Sequence, residues 1–270
     1  NVSGGALSAA SITVNAGGTL NYSGGSLALG GGAGTLDNAA GGQVNFSGAG
    51  QRVLDARLQN SGAVTLSTNA QVNVLAQTGG TIALGGNTLS VAKDYTNANF
   101  GTGNAFNARA GVSGGGQIAG VNAAQTITGN VTAAGSNTFT LDLGSVRNGS
   151  SVTKAYQIAN SGTGADIRGA IQTGAPGLGN VTDARLSGTG VTAGNFGPIA
   201  AGANGGNLSV TFNATSAGAL SGQSVAVVSN FGNVATQTIN LAGAAYNVAV
   251  GAATPTPVLL ANQRVGGTLT

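Results

Sequence analysis

This chain of 270 residues contains no His, Cys, Met or Trp, and all six of its acidic residues are Asp. Without His, Cys or Glu it lacks the usual general bases, soft metal ligands and easily tuned acids. That argues against an enzyme and for a chain whose task is to be long, folded and exposed. Zero Cys excludes a disulfide scaffold and fits a secreted setting as well as a cytosolic one.

Charge is scarce as well, at 6% of residues, with nine Lys and Arg against six Asp for a net +3. Only Arg52 and Arg57 lie close together, and no charged residue stands between Arg185 and Arg264. Nucleic-acid binding would need clustered basic residues with interleaved aromatics, so no nucleic-acid partner is expected. Asn, Gln, Thr or Gly interrupts every apolar run well short of the ~18 residues of a membrane helix. Aromatics, at 4%, are too few for the girdles of a membrane barrel. This segment is therefore not expected to insert into a membrane. No Met and no signal peptide are present, so the chain is expected to be a processed or excised piece of something larger.

What the chain does contain is 50 Gly, 4 Pro and 41% hydrophobic residues. So much Gly raises the prospect of low-complexity disorder. The apolar content and the small net charge oppose it, because disordered chains are poor in the first and rich in the second. Short runs of Val, Ile and Leu suit many short strands. The length allows one to three domains at ~100–200 residues each, and the chain is read as folded and nearly all β.

Residues 1 to about 134 carry a loose repeat. Val14-Asn15-Ala16-Gly17-Gly18-Thr19-Leu20-Asn21-Tyr22 aligns with Asn38-Ala39-Ala40-Gly41-Gly42-Gln43-Val44-Asn45-Phe46. Asn60-Ser61-Gly62-Ala63-Val64-Thr65-Leu66 and Gln77-Thr78-Gly79-Gly80-Thr81-Ile82-Ala83-Leu84 follow the same scheme. The glycines at 18, 42, 62 and 80 are 24, 20 and 18 apart. A period near 20 with one short strand per repeat predicts a parallel β-solenoid, or β-helix. Leu20 and Tyr22, Val44 and Phe46, Val64 and Leu66, and Ile82 and Leu84 each share one strand face, and stacking would make them apolar columns. Asn15, Asn38, Asn60 and Gln77 are expected to form an amide ladder at the corners. Leu7–Val14, Ser26–Leu29, Arg52–Leu58 and Thr88–Val91 would supply a second solenoid face.

Near residue 135 the pattern changes. Strands are expected at Thr138–Leu143, Val152–Ala159, Asp166–Ile171, Ala184–Ser187, Leu208–Asn213, Val225–Ser229 and Thr236–Leu241. Seven strands divided by Gly/Asn/Ser turns predict an immunoglobulin-like β-sandwich over 135–247. Val152, Ala155, Ile158, Val210 and Phe212 are its expected inward residues. The segment 248–270 reads as a linker, Thr254-Pro255-Thr256-Pro257, and the first strand of a further sandwich. There Leu260-Ala261-Asn262-Gln263-Arg264-Val265-Gly266-Gly267-Thr268-Leu269-Thr270 aligns with Leu143-Gly144-Ser145-Val146-Arg147-Asn148-Gly149-Ser150-Ser151-Val152-Thr153 at a constant offset of 117, with Leu, Arg, Gly and the final Thr in common.

Residues 138–245 resemble the bacterial choice-of-anchor D, or Hydin-like, immunoglobulin repeats. The resemblance is carried by Leu141-Asp142-Leu143-Gly144-Ser145-Val146-Arg147-Asn148-Gly149, Ile158-Ala159-Asn160-Ser161-Gly162, Leu208-Ser209-Val210-Thr211-Phe212-Asn213-Ala214-Thr215-Ser216-Ala217-Gly218 and Ile239-Asn240-Leu241-Ala242-Gly243-Ala244-Ala245. Ala214 departs from the family, which often has Pro there. Residues 1–134 are similar to the β-helical repeats of autotransporter passengers and haemagglutinin-like adhesins. These resemblances imply a large secreted or bacterial cell-surface protein, anchored to the outer membrane through other parts of the parent. They carry over no catalytic residue.

Several motifs have a plainer reading beside a functional one. Gly111-Val112-Ser113-Gly114-Gly115 matches a hydrolase nucleophile elbow, but no His exists to activate Ser113, and chance explains it in so Gly-rich a chain. Asp55 between Arg52 and Arg57 reads as a surface ion pair before it reads as a sugar-binding spot. Asp142, Asp166 and Asp183 could ligate a stray ion, with solvated turns as the default; the Asp series of a calcium solenoid is missing. Lys154 with Asn160 resembles the intramolecular amide bonds of some adhesins, but no Glu is available to promote one. Tyr22, Tyr95, Tyr156 and Tyr246 read as core or strand-pair residues before a sugar-stacking platform. No catalytic, cofactor or metal residue is assigned, and no cofactor is expected. The expected role is a non-enzymatic stalk and adhesion module of a large adhesin, with a host cell, a neighbouring cell or an extracellular glycan as partner. The alternative is a self-assembling subunit of a surface layer, sheath or filament, associating through strand edges.

Overall fold

A computed structural model describes residues 1–174 and 178–251. Among the described residues the fold is all-β, with twenty-four strands and three single-turn 3₁₀ segments. The expected linker and strand beyond residue 251, Arg264 and Gly266 included, lie outside the described residues.

The first half builds two sheets in which every pair is parallel. One runs Thr19–Tyr22, Gln43–Phe46, Ala63–Leu66, Thr81–Ala83, Val112–Ser113. The other runs Ala6–Ala9, Ser26–Leu29, Arg52–Asn60, Ala70–Gln77, Thr88–Asn97, Gln117–Gly120, with Ile12–Val14 and Thr35–Asn38 alongside. The alternating pattern sets the register. Leu20, Val44, Val64 and Ile82 are in line across four strands, as are Tyr22, Phe46 and Leu66. All seven are buried. A one-residue slip would turn the whole set out to solvent, so burial itself holds the register.

The amide ladder exists, one rung along from where it was expected. Asn38, Asn60, Gln77 and Asn97 occupy successive aligned positions and are buried. Asn38 Nδ2 donates to Asn60 Oδ1 at 2.8 Å, and Asn97 Nδ2 donates to Gln77 Oε1 at 3.3 Å. Asn15 is not part of it: Val14 aligns with Asn38, and Asn15 is exposed. Corner lengths differ from coil to coil, so counting from the glycines misplaces the rung. The glycine that best shows why corners need Gly is Gly80, at φ +60°, where a Cβ would collide with the Gly62 carbonyl of the coil before.

The second half pairs differently. Gln125–Gly129, Ser151–Asn160, Leu208–Asn213 and Leu186–Ser187 form a four-stranded antiparallel sheet. A seven-stranded sheet runs Thr132–Gly135, Thr138–Arg147, Gln237–Tyr246, Ser224–Ser229, Ile167–Gln172, Gly194–Ile199, with Gly218–Ala219 joined to its third strand. Its one parallel pair joins Thr138–Arg147 to Gln237–Tyr246, about a hundred residues apart in sequence. Sheet membership therefore changes before Gln125 and not at the expected 134. The strands at Gln125–Gly129, Thr132–Gly135 and Gly194–Ile199 escaped the sequence reading because Gly, Ala, Asn and Thr mask their alternation.

Leu141, Tyr156, Ile158, Ile167, Val210, Phe212, Val225 and Ile239 fill this half of the core. Val152 and Ala155 are only half-buried, and Tyr156 takes the inward place expected of Ala155. Parity explains it, since Val152, Tyr156 and Ile158 are separated by even steps. Ala214 also has a reason to depart from Pro: its N–H donates to Ser150 O at 2.9 Å, a bond Pro cannot make.

Candidate functional site

The corners of the parallel region are two to five residues long until Asn97, after which fourteen residues (98–111) intervene before Val112. This expanded corner carries Phe100 and Phe106, and it reaches the second half. Tyr95 and Phe100 stack edge to face with centroids 5.0 Å apart, and Phe106 lies 5.0 Å beyond Phe100. Phe231, from the loop after Ser224–Ser229, approaches Tyr95 at 6.2 Å. The four rings thus join both halves, and a single buried cluster runs through the molecule. Gly120 lies under Phe231; a Cβ there would strike the ring.

Polar groups close the same joint. Asn233 accepts from Gly120 N at 2.9 Å and donates to Gly120 O at 3.0 Å, so its side-chain amide stands in for the next strand of the ladder. Gly232 N donates to Ile118 O and Ala165 N to Val121 O, both at 2.8 Å. Asn230 Nδ2 donates to Tyr95 O at 2.9 Å. Gln172 donates to Gly103 O at 3.2 Å, and Asn195 accepts from Gly103 N and donates to Gly101 O, each at 2.9 Å. Unpaired strand edges invite aggregation, and here the second half covers the edge of the first. Arg109 supplies a smaller cover, donating to the carbonyls of Gly114 and Gly116, each at 2.9 Å.

Charge concentrates here too. Arg168 grips Asp94 with two bonds, Nε to Oδ1 at 2.8 Å and Nη2 to Oδ2 at 3.0 Å. Both side chains are about a quarter exposed, at 27% and 24%. The Asp94 carboxylate holds the Arg168 guanidinium above its ordinary pKa. Burial pushes the Tyr95 hydroxyl up to about 12, against a smaller lowering by its bond with Asn97. A cleft of about 230 Å³ opens beside the ion pair, lined by Asn97, Phe100, Phe106, Arg168, Asn195 and Phe196 among others. A broader trough of about 420 Å³ follows the glycine corners from Gly17 to Thr81; apart from Gln43 it presents backbone and small side chains.

Of the residues singled out in the sequence, Tyr95 lies in this cluster and Asp166 N donates to Lys93 O at 2.6 Å across the joint; the others lie elsewhere. Arg52, Asp55 and Arg57 form no ion pair: Asp55 bonds to Asn73, while Arg52 bonds to the Ala49 carbonyl and covers the Tyr22 ring at 5.8 Å. Ser113 sits in a two-residue strand against Ala83. Asp142 accepts from Gly144 N at 2.8 Å. Asp183 is held below its ordinary pKa by its bond with Arg185, at 2.7 Å. Lys154 donates to the Asp142 carbonyl at 2.6 Å, and Asn160 is bound instead to Ala165 O and Ile199 O. Three of the four Tyr are buried, and Tyr246 is half exposed. Among the described residues no three of His, Cys, Asp or Glu gather into a metal site.

The joint itself was missed. Its one sequence signal was the break in repeat length after Asn97, coinciding with two Phe in a chain that has seven. A scan against protein-family models finds no match to this chain, and a search of curated proteins finds none either.

Proposed function

We propose that this chain is a non-enzymatic stalk and adhesion segment of a large bacterial cell-surface or secreted protein. In this reading residues 1 to about 121 are a parallel β-solenoid, and the antiparallel half is an immunoglobulin-like sandwich of the choice-of-anchor D kind. A solenoid gives length per residue, because each coil adds a layer along one axis. Length is useful only if the next module cannot swing freely.

The supporting observation is the joint, where an expanded corner, four aromatic rings, the Asn233 amide and the Asp94–Arg168 pair tie one half to the other. Interfaces within a chain usually permit domain motion unless they are large and apolar; this one has an apolar centre with bonded polar groups around it. The partner would be a cell surface or an extracellular glycan.

One observation favours the assembly alternative. Thr132–Gly135 is an edge strand of four exposed residues without Lys or Pro, open to pairing with another chain. Electron microscopy of the purified chain separates the readings. Isolated straight particles of constant shape support the stalk, whereas ordered lattices or fibres support assembly. Two lobes at variable angle would refute the stalk.

A further inference from the structure

The cleft at the joint has the chemistry of a sugar site, and this inference rests on the adhesive role proposed above. Its walls are the Phe100, Phe106 and Phe196 rings, of which Phe196 is the most accessible. Flat rings offer the apolar C–H face of a pyranose a surface that a branched side chain does not. Between them stand three planar polar groups already fixed in place. Asn97 donates to Ala110 O at 2.6 Å, Asn195 is held by Gly101 and Gly103, and Arg168 by Asp94. Such groups lose little freedom on binding.

Arg168 bonds Asp94 through Nε and Nη2 only. Among the described residues Nη1 has no partner, although Arg168 lines the cleft. The donor is thus available, while the charge behind it is neutralised. That combination suits a hydroxyl or an acetamido carbonyl better than a carboxylate or phosphate. A second hollow of about 250 Å³, lined by Ile158, Phe196, Pro198 and Leu208 among others, shares Phe196 and Gly197 with the first. Two hollows sharing one ring suit two adjacent residues of one oligosaccharide.

We propose that the joint binds a neutral oligosaccharide of a surface glycan, with one sugar in the cleft against Phe196 and Arg168 Nη1 donating to it. The proposed site is separate from Asp55, the sugar-binding alternative of the sequence analysis.

The test is titration of the intact, isotope-labelled chain with chitotriose, cellotriose and maltotriose at millimolar concentration, followed by amide chemical shifts. At least one should bind, with shifts centred on 95–106 and 194–198. Phe196→Leu, which keeps the apolar volume but loses the flat face, should weaken it about tenfold or more, or ~1.4 kcal/mol. Phe196→Ala should do the same, and an unchanged melting temperature in Phe196→Leu excludes misfolding as the cause. No binding by any of the three, equal affinity in Phe196→Leu, or shifts confined to the glycine corners would overturn the site. Beads coated with wild-type and Phe196→Leu protein keep the two proposals apart. Adhesion of both to bacterial or host cells, without trisaccharide binding, removes the site and leaves the adhesive role. Trisaccharide binding without bead adhesion does the reverse.

Discussion

The two halves of this molecule solve the same problem in opposite ways. In the parallel half each strand pairs with one 17 to 30 residues away, and Leu20, Val44, Val64 and Ile82 simply repeat one contact. In the antiparallel half the key pairing joins Thr138 to Thr238, so the core closes only when distant segments meet. Contacts between neighbouring strands add up locally, whereas a core closed by distant segments forms all-or-none. Damage should therefore stay local in the first half and spread in the second.

The sharpest test of that contrast is a pair of core truncations. Phe212→Ala, at a fully buried position, should cost ~3–5 kcal/mol and unfold the whole antiparallel half in one transition. Phe46→Ala removes a ring of the same kind, and its cost should be read out in hydrogen exchange as faster opening of 19–66 alone. Equal protection losses across both halves would break the comparison.

A smaller effect is expected from the amide ladder. Asn60→Ala removes one of the two acceptors of Asn38 Nδ2, leaving Ala63 O, and removes the donor to Thr81 O. An unsatisfied buried group costs ~1–3 kcal/mol, so exchange should quicken in 35–81 while the antiparallel half keeps its melting temperature.

Alkali should touch both halves, because each buries a tyrosine. Burial raises Tyr95 to about 12 and raises Tyr156 as well. A raised acid favours the neutral form when folded, so its contribution is intact below the unfolded value near ~10 and is lost as pH climbs past it. Two of the four tyrosines should resist ionisation, by absorbance near 295 nm, until the protein unfolds above pH ~10. Ionisation of Tyr95 and Tyr156 near pH ~10 in folded protein would contradict the packing. Least affected should be Asp55→Asn, an exposed residue without an ionic partner among the described residues. A change within ~0.5 kcal/mol is expected, and cell adhesion by protein-coated beads should be unaltered.

The parallel columns were legible because alternation and glycine spacing report burial directly. The seven strands expected of the second half also have counterparts there. Asn97 was invisible as a ladder rung, since the Gly-containing turn that marks Asn38, Asn60 and Gln77 does not follow it. The ion pair expected at Asp55 failed because the alternating strand turns Asp55 and Arg57 out to solvent, where Asn73 is the carboxylate's partner. The Asp94–Arg168 pair joins residues 74 apart, and nothing local foretells it. Asn233 is one of many Asn, distinguished only by the strand edge it meets.

The central claim is that the joint makes the two halves one body. The absence of Cys allows clean spin labelling at Ser67→Cys and Ser216→Cys, both exposed and on opposite halves. Pulsed dipolar spectroscopy should give one narrow distance distribution in the otherwise unchanged protein, broadened when Asn233→Ala and Arg168→Ala are added together. A broad or multi-peaked distribution before any change at the joint would contradict the account.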